Sequence, residues 1–200
     1  MYNVQVELLA HPERFGGSVD EAFTVVVPSL PVCGFSDAPP GPISPRDVGR
    51  LWAEMMSNIF GFGRYMAHGG DWGAVITSWM AVDRPRGLVG AHLNAAVVTA
   101  PWTFANVLPS PEETAHLERL ATLPDEEKAY QLVHGDRPQS RAFAVHDSPV
   151  GLAAWILEKF HNWTVGKQDI DPPFDLDDLI TNVMFYWLGD PQAVSWMYRY

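Results

Sequence analysis

The chain has 200 residues, a formal charge of −11, 47% hydrophobic and 18% charged residues. That balance excludes a basic nucleic-acid footprint, disfavours an anionic membrane surface and leaves ample apolar material for one core with an appended lid. The single cysteine, Cys33, rules out an internal disulfide and leaves no Cys-based metal site. No apolar run approaches the roughly 18 residues of a membrane span. Met1 to Ala10 carry Asn3, Gln5 and Glu7 with no basic start, so no signal peptide is expected and the expected location is cytoplasmic. Eight tryptophans imply large, flat apolar surfaces.

Taken in chain order, the first half alternates strand and helix patterns. Phe23 to Val27 is a β-branched run ended by Pro28 and is predicted as a buried strand. A loop rich in proline and glycine runs from Pro28 to Pro45. Ser44 and Pro45 form a cap-and-proline helix start, and apolar residues at three- and four-residue spacing predict a helix from Pro45 to Phe60. Gly61 to Gly63 should stop it. Arg64 to His68 is the second predicted strand, Trp72 to Val82 a helix, and Leu88 to Leu93 the third strand. This alternation predicts a parallel sheet with flanking helices, an α/β fold.

Beyond Pro101 the pattern becomes helical and acidic. Helices are predicted over Pro111–Leu120, Asp125–His134, Pro149–Phe160 and Asp175–Trp187, and no strand is expected there. The acids between Asp169 and Asp178 should cap the last of these helices. The expected division is residues 1–105 as a partial α/β core and 106–200 as an all-helical cap.

The string His68-Gly69-Gly70-Asp71-Trp72-Gly73 carries the chemistry. Gly69-x-Asp71-x-Gly73 has the spacing of a nucleophile elbow, a sharp strand-to-helix turn flanked by glycines because side chains would crowd it. A helix starting at Trp72 aims backbone N–H groups at the site, which suits an anionic nucleophile and a developing oxyanion. Aspartate at the centre is ionised at neutral pH and attacks carbon without a base. The plainer reading of Asp71 is a helix N-cap; its place between a predicted strand and helix favours the elbow.

That string, with Val27-Pro28-Ser29-Leu30-Pro31 and Gly34-Phe35-Ser36-Asp37, resembles the α/β-hydrolase epoxide hydrolases of the microsomal and juvenile-hormone type. Asp147 to Phe160 and Asp178 to Met184 are similar to strings of that family's cap. The resemblance implies a partial α/β-hydrolase core followed by a helical cap. It also implies that Asp71 opens a small apolar epoxide through an alkyl-enzyme ester, with Trp72 contributing to the oxyanion hole. Two cap tyrosines would lend protons to the leaving oxygen: Tyr130, and Tyr198 with Tyr200 as the alternative. No cofactor, metal or nucleic acid is implied. Trp72, Trp102 and Trp155 are expected to wall the pocket, although each also fits ordinary packing.

The chain departs from the family pattern at both ends. The family's His-Gly-x-Pro loop, ahead of Val27, and its acid and base beyond the cap have no counterpart within these 200 residues. None of His11, His68, His92, His116, His134, His146 and His161 stands where the catalytic base belongs, and each is read as an ordinary or satisfied residue. A shortened epoxide hydrolase, in secondary metabolism by analogy, is therefore expected to open the ring without full turnover. The alternatives are a catalytically incomplete remnant acting through binding and, less well matched, a haloalkane dehalogenase. Self-association is expected from apolar surface that further segments would cover.

Overall fold

A computed structural model of the chain describes residues 3–95, 108–122, 125–164 and 174–189, with Ser195, Met197 and Tyr198. Its first half is built on one parallel pair of strands, β1 (Tyr65–Gly69) and β2 (Leu88–Leu93). Parallel neighbours need a crossover, and helix α3 (Trp72–Asp83) supplies it, lying against both strands. Helices α1 (Asn3–Ala10) and α2 (Pro45–Glu54) precede them, and α2 packs on α3.

Helix α2 begins as its sequence predicts. Ser44 Oγ accepts the Asp47 N–H at 3.2 Å, and Pro45 occupies the first helical position. The predicted run to Phe60 continues as a π turn over Met55–Ile59, with the Phe60 N–H bonded to the Met55 carbonyl at 2.9 Å. Val48, Ala53, Tyr65, Ile76 and Met80 form the buried cluster between α2, α3 and the sheet. The Arg46 guanidinium forks onto Asp83, with its Nε 3.0 and 3.1 Å from the two carboxylate oxygens, and so ties the start of α2 to the end of α3.

The predicted first strand is a correction. Phe23 to Val27 forms no strand, and both Phe23 and Val27 are exposed. Strand propensity describes how a residue fits a paired, half-buried surface, and no strand among the described residues pairs with this run. The Phe23 N–H instead bonds the Leu9 carbonyl at 2.9 Å. The sheet therefore has two of the three predicted strands.

The second half is helical throughout its described residues: α4 (Pro111–Ala121), α5 (Asp125–Asp136), α6 (Pro138–His146), α7 (Pro149–Asn162) and α8 (Leu176–Trp187). Helix α6 has no mark in the sequence pattern, because Ala142 to Val145 are consecutive apolar residues rather than spaced ones. Ser148 caps α7 through the Gly151 N–H at 3.1 Å. Asp175 caps α8 through the Asp177 N–H at 2.8 Å, the role expected of the acid cluster. Val145, Leu152 and Val183 join α6, α7 and α8 in a second buried cluster flanked by Trp155, Tyr186 and Trp187. No helix among the described residues is long and apolar enough to cross a membrane.

Candidate active site

Strand β1 ends on Gly69 and helix α3 begins on Trp72, so Asp71 stands on the turn between them. Its backbone has φ 51° and ψ −127°, in a region that costs a non-glycine residue roughly 1–3 kcal/mol. Two glycines make that turn possible. A Cβ at Gly69 would drive into the Gly73 carbonyl and the Ala74 nitrogen, and one at Gly70 would strike the Asn94 carboxamide. At Gly73 a Cβ would meet nothing within 4 Å. The expectation of crowding on both sides is therefore corrected: the strand side is closed and the helix side is open. Asn94, just past β2, went unnoticed in the sequence; it packs on the elbow, and its N–H bonds the Gly69 carbonyl at 3.2 Å.

The Asp71 side chain is held on the first turn of α3. Its Oδ1 accepts the Trp72 N–H at 2.5 Å, the residue is exposed, and its carbonyl accepts the Ala74 N–H at 2.9 Å. One carboxylate oxygen thus lies on the helix N-terminus. The Trp72 N–H expected for an oxyanion is engaged by the carboxylate itself.

Trp72 also reaches into the cap. Its indole stands edge-on to the Tyr198 ring with centroids 4.8 Å apart, and its N–H hydrogen-bonds the Tyr198 hydroxyl. Tyr130, on α5, stands edge-on to Tyr198 at 6.1 Å. The structure therefore brings Tyr130, Tyr198 and Trp72 together beside the elbow. Tyr200 and Trp102 lie outside the described residues. Burial first, then the charges of Tyr130, Asp71 and Tyr186, push the Tyr198 phenol up to about 12 against the Trp72 hydrogen bond. A phenol in that setting keeps its proton and donates it in a hydrogen bond.

Around these tyrosines lies a shell that the sequence reading did not single out. The His134 ring stacks on Tyr198 at 4.3 Å and 24°, and its Nδ1 is 2.9 Å from the Ser195 hydroxyl. Arg141 Nη1 donates to the same hydroxyl at 3.4 Å. His134, Arg141 and Ser195 are all buried. Burial, with Arg141 and Lys159 adding to it, takes His134 down to about 3, so it is a neutral, satisfied histidine. Tyr186 on α8 is raised above its usual range by burial, then by Cys33 and Asp71, against Arg141. One signal for part of this shell was present: Tyr130 and His134 are four residues apart, as are Trp155, Lys159 and Trp163, which places each set on one helix face. His68 and His92 face each other in register across β1 and β2, with Nδ1 atoms 2.7 Å apart.

No protein-family model matches the chain. A putative epoxide hydrolase of Stigmatella aurantiaca is 39% identical over 195 residues, 95% of this chain and 43% of the relative. The solved structure of juvenile hormone epoxide hydrolase from the silkworm Bombyx mori matches at 32% identity with a TM-score of 0.69. That match covers 86% of this chain and 45% of the silkworm protein. By sequence and fold, the chain is similar to the epoxide hydrolases of the α/β-hydrolase superfamily. The Aspergillus niger epoxide hydrolase structure matches over 98% of this chain and 50% of its own, at 28% identity and TM-score 0.73. The chain thus spans about two-fifths to one-half of the epoxide hydrolases it matches. Its two strands with α3 are a partial α/β-hydrolase core, and its later helices are the cap.

Proposed function

We propose that this chain carries the ring-opening half of an epoxide hydrolase, with residues 1–105 as the core and 106–200 as the cap. The supporting observation is the elbow at Asp71 lying under a tyrosine pair. Asp71 Oδ1 is anchored on the Trp72 N–H, and Oδ2 attacks the less hindered epoxide carbon. A carbon–carboxylate bond forms as the carbon–oxygen bond of the ring breaks, and the departing oxygen takes a proton from the tyrosine pair. The substrate is a small apolar epoxide, since the rings of Trp72, Tyr198 and Tyr130 gather beside the elbow. Neither a cofactor nor nucleic acid enters this reading, and its setting is cytoplasmic, in secondary metabolism. Exposed Met66 on β1 and Val89 on β2 support self-association through the sheet.

The test is intact mass after incubation with styrene oxide. The expected result is one adduct, mapped to Asp71 and lost in Asp71→Asn; absence of the adduct from the wild-type chain overturns the proposal. Diol release measured beside it separates two forms of the reading. The second form is single alkylation of Asp71 without hydrolysis of the ester. Hydrolysis of the ester needs a base that activates water. Steady diol production would establish full turnover. Halide release from a haloalkane would instead favour dehalogenation, against which the tyrosine pair argues.

A further inference from the structure

The two tyrosines stand edge-on to one another but differ in their surroundings. Tyr198 is tucked among Trp72, His134 and Tyr130. Burial first, with the charge of Asp71 among the lesser causes, holds its phenol up to about 12 against the Trp72 hydrogen bond, and the Arg141 guanidinium also acts on it. Tyr130 has a cation against its ring. Lys159 Nζ lies 5.1 Å from the Tyr130 ring centroid and 5.9 Å from those of Trp155 and Trp163, so three aromatic rings surround it. Gln131 Nε2 donates to the Tyr130 hydroxyl at 3.1 Å.

We propose that Lys159 is a positioning residue that makes Tyr130 the tyrosine which gives up its proton, while Tyr198 only orients the epoxide oxygen. The inference deepens the ring-opening reading above and rests on it. As Asp71 bonds to carbon and the carbon–oxygen bond breaks, the Tyr130 proton passes to the departing oxygen. The electron pair left on the Tyr130 oxygen then lies opposite the Lys159 ammonium and the Gln131 amide. Tyr198 keeps its own proton throughout.

The remaining charged groups around the pair do not reverse this arrangement. Glu158 Oε1 is 2.7 Å from Lys159 Nζ, but the Glu158 side chain is 51% exposed against 16% for Lys159. Water screens the carboxylate more than the caged ammonium. His134, edge-on to Tyr130 at 6.3 Å, is neutral. The Arg141 guanidinium lies over Trp155 and acts on Tyr198, but its Nη1 is committed to the Ser195 hydroxyl and burial still holds the Tyr198 phenol high.

Single-turnover alkylation of Asp71 by styrene oxide, followed by intact mass, tests the assignment. Tyr130→Phe should slow the maximum alkylation rate about 100-fold, within the range of a lost general acid. Lys159→Met should slow it about 10-fold with little change in the epoxide concentration that half-saturates, and Lys159→Arg should restore the rate because it keeps a cation over the rings. The deciding comparison is a double-mutant cycle. Lys159→Met should cost nothing further on a Tyr130→Phe background and its full 10-fold on a Tyr198→Phe background. Equal losses on both backgrounds, or an unchanged rate in Lys159→Met, would overturn the role of Lys159 while leaving ring opening at Asp71 intact. A wild-type chain that takes no adduct would instead bring down the ring-opening reading and this inference with it.

Discussion

The elbow and the cap cluster reach functional geometry by different routes. At the elbow the backbone does the work. Three consecutive residues, Gly69, Gly70 and Asp71, set a turn that only this arrangement of missing side chains permits. In the cap the backbone is ordinary helix, and the geometry comes from long side chains that meet from separate stretches: Tyr130 and His134 on α5, Trp155 and Lys159 on α7, and Ser195 and Tyr198 beyond α8. A backbone site is brittle, because one added carbon destroys it. A side-chain site can be retuned one residue at a time.

The sharpest way to break the comparison is at the glycines. Gly69→Ala places a carbon against backbone atoms that have no room to yield, and should cost at least about 3 kcal/mol of stability in urea unfolding. Gly73→Ala, only four residues on, should leave stability within about 1 kcal/mol of wild type, because its carbon enters open space in a helix. Equal costs at the two positions would show that the elbow is not closed on one side only.

A smaller effect, dependent on pH, belongs to the cap. Unfolded His134 takes up a proton near pH 6.5, whereas the folded residue resists protonation down to about 3. Its contribution to stability is therefore complete above pH 6.5 and is lost as pH falls from there toward 3. His134→Phe should keep the stack on Tyr198 and flatten that acid limb, read as the urea midpoint at successive pH values. An acid limb as steep as that of wild type would assign the loss to other groups.

The smallest effect returns to the elbow. Asp71→Gly removes the proposed nucleophile and also the strained φ of a residue with a side chain. The relief, less the flexibility gained by the unfolded chain and the lost cap, should leave the variant about 1 kcal/mol more stable and unable to form an adduct. A less stable variant would mean the turn is held without strain.

This contrast also explains what was legible in the sequence. The elbow is written in six adjacent residues, His68 to Gly73, and β1, α3 and β2 follow from hydrophobic period and glycine stops. Tyr130 and Tyr198 came from a family pattern, and no local spacing would have paired residues 68 positions apart. The part His134 plays is hidden from the sequence for a related reason. Its neighbours in sequence say nothing about Ser195 or Tyr198, which supply its hydrogen bond and its stacking partner. Phe23 to Val27 failed in the opposite direction, because propensity names a candidate strand but not its partner.

The π turn at Met55–Ile59 gives helix α2 slack in its length. An i-to-i+5 turn holds one residue more than an α turn needs, so the surplus is stored locally instead of being passed along the chain. A single-residue deletion inside this stretch would close the turn to ordinary α-helix and leave the Gly61–Gly63 exit, β1 and the elbow in register. The same deletion between Val48 and Ala53 would rotate these two residues about 100° relative to one another and take one of them off the Ile76 face. Length can therefore vary in the π turn without moving Asp71, but not between the two residues that anchor the helix.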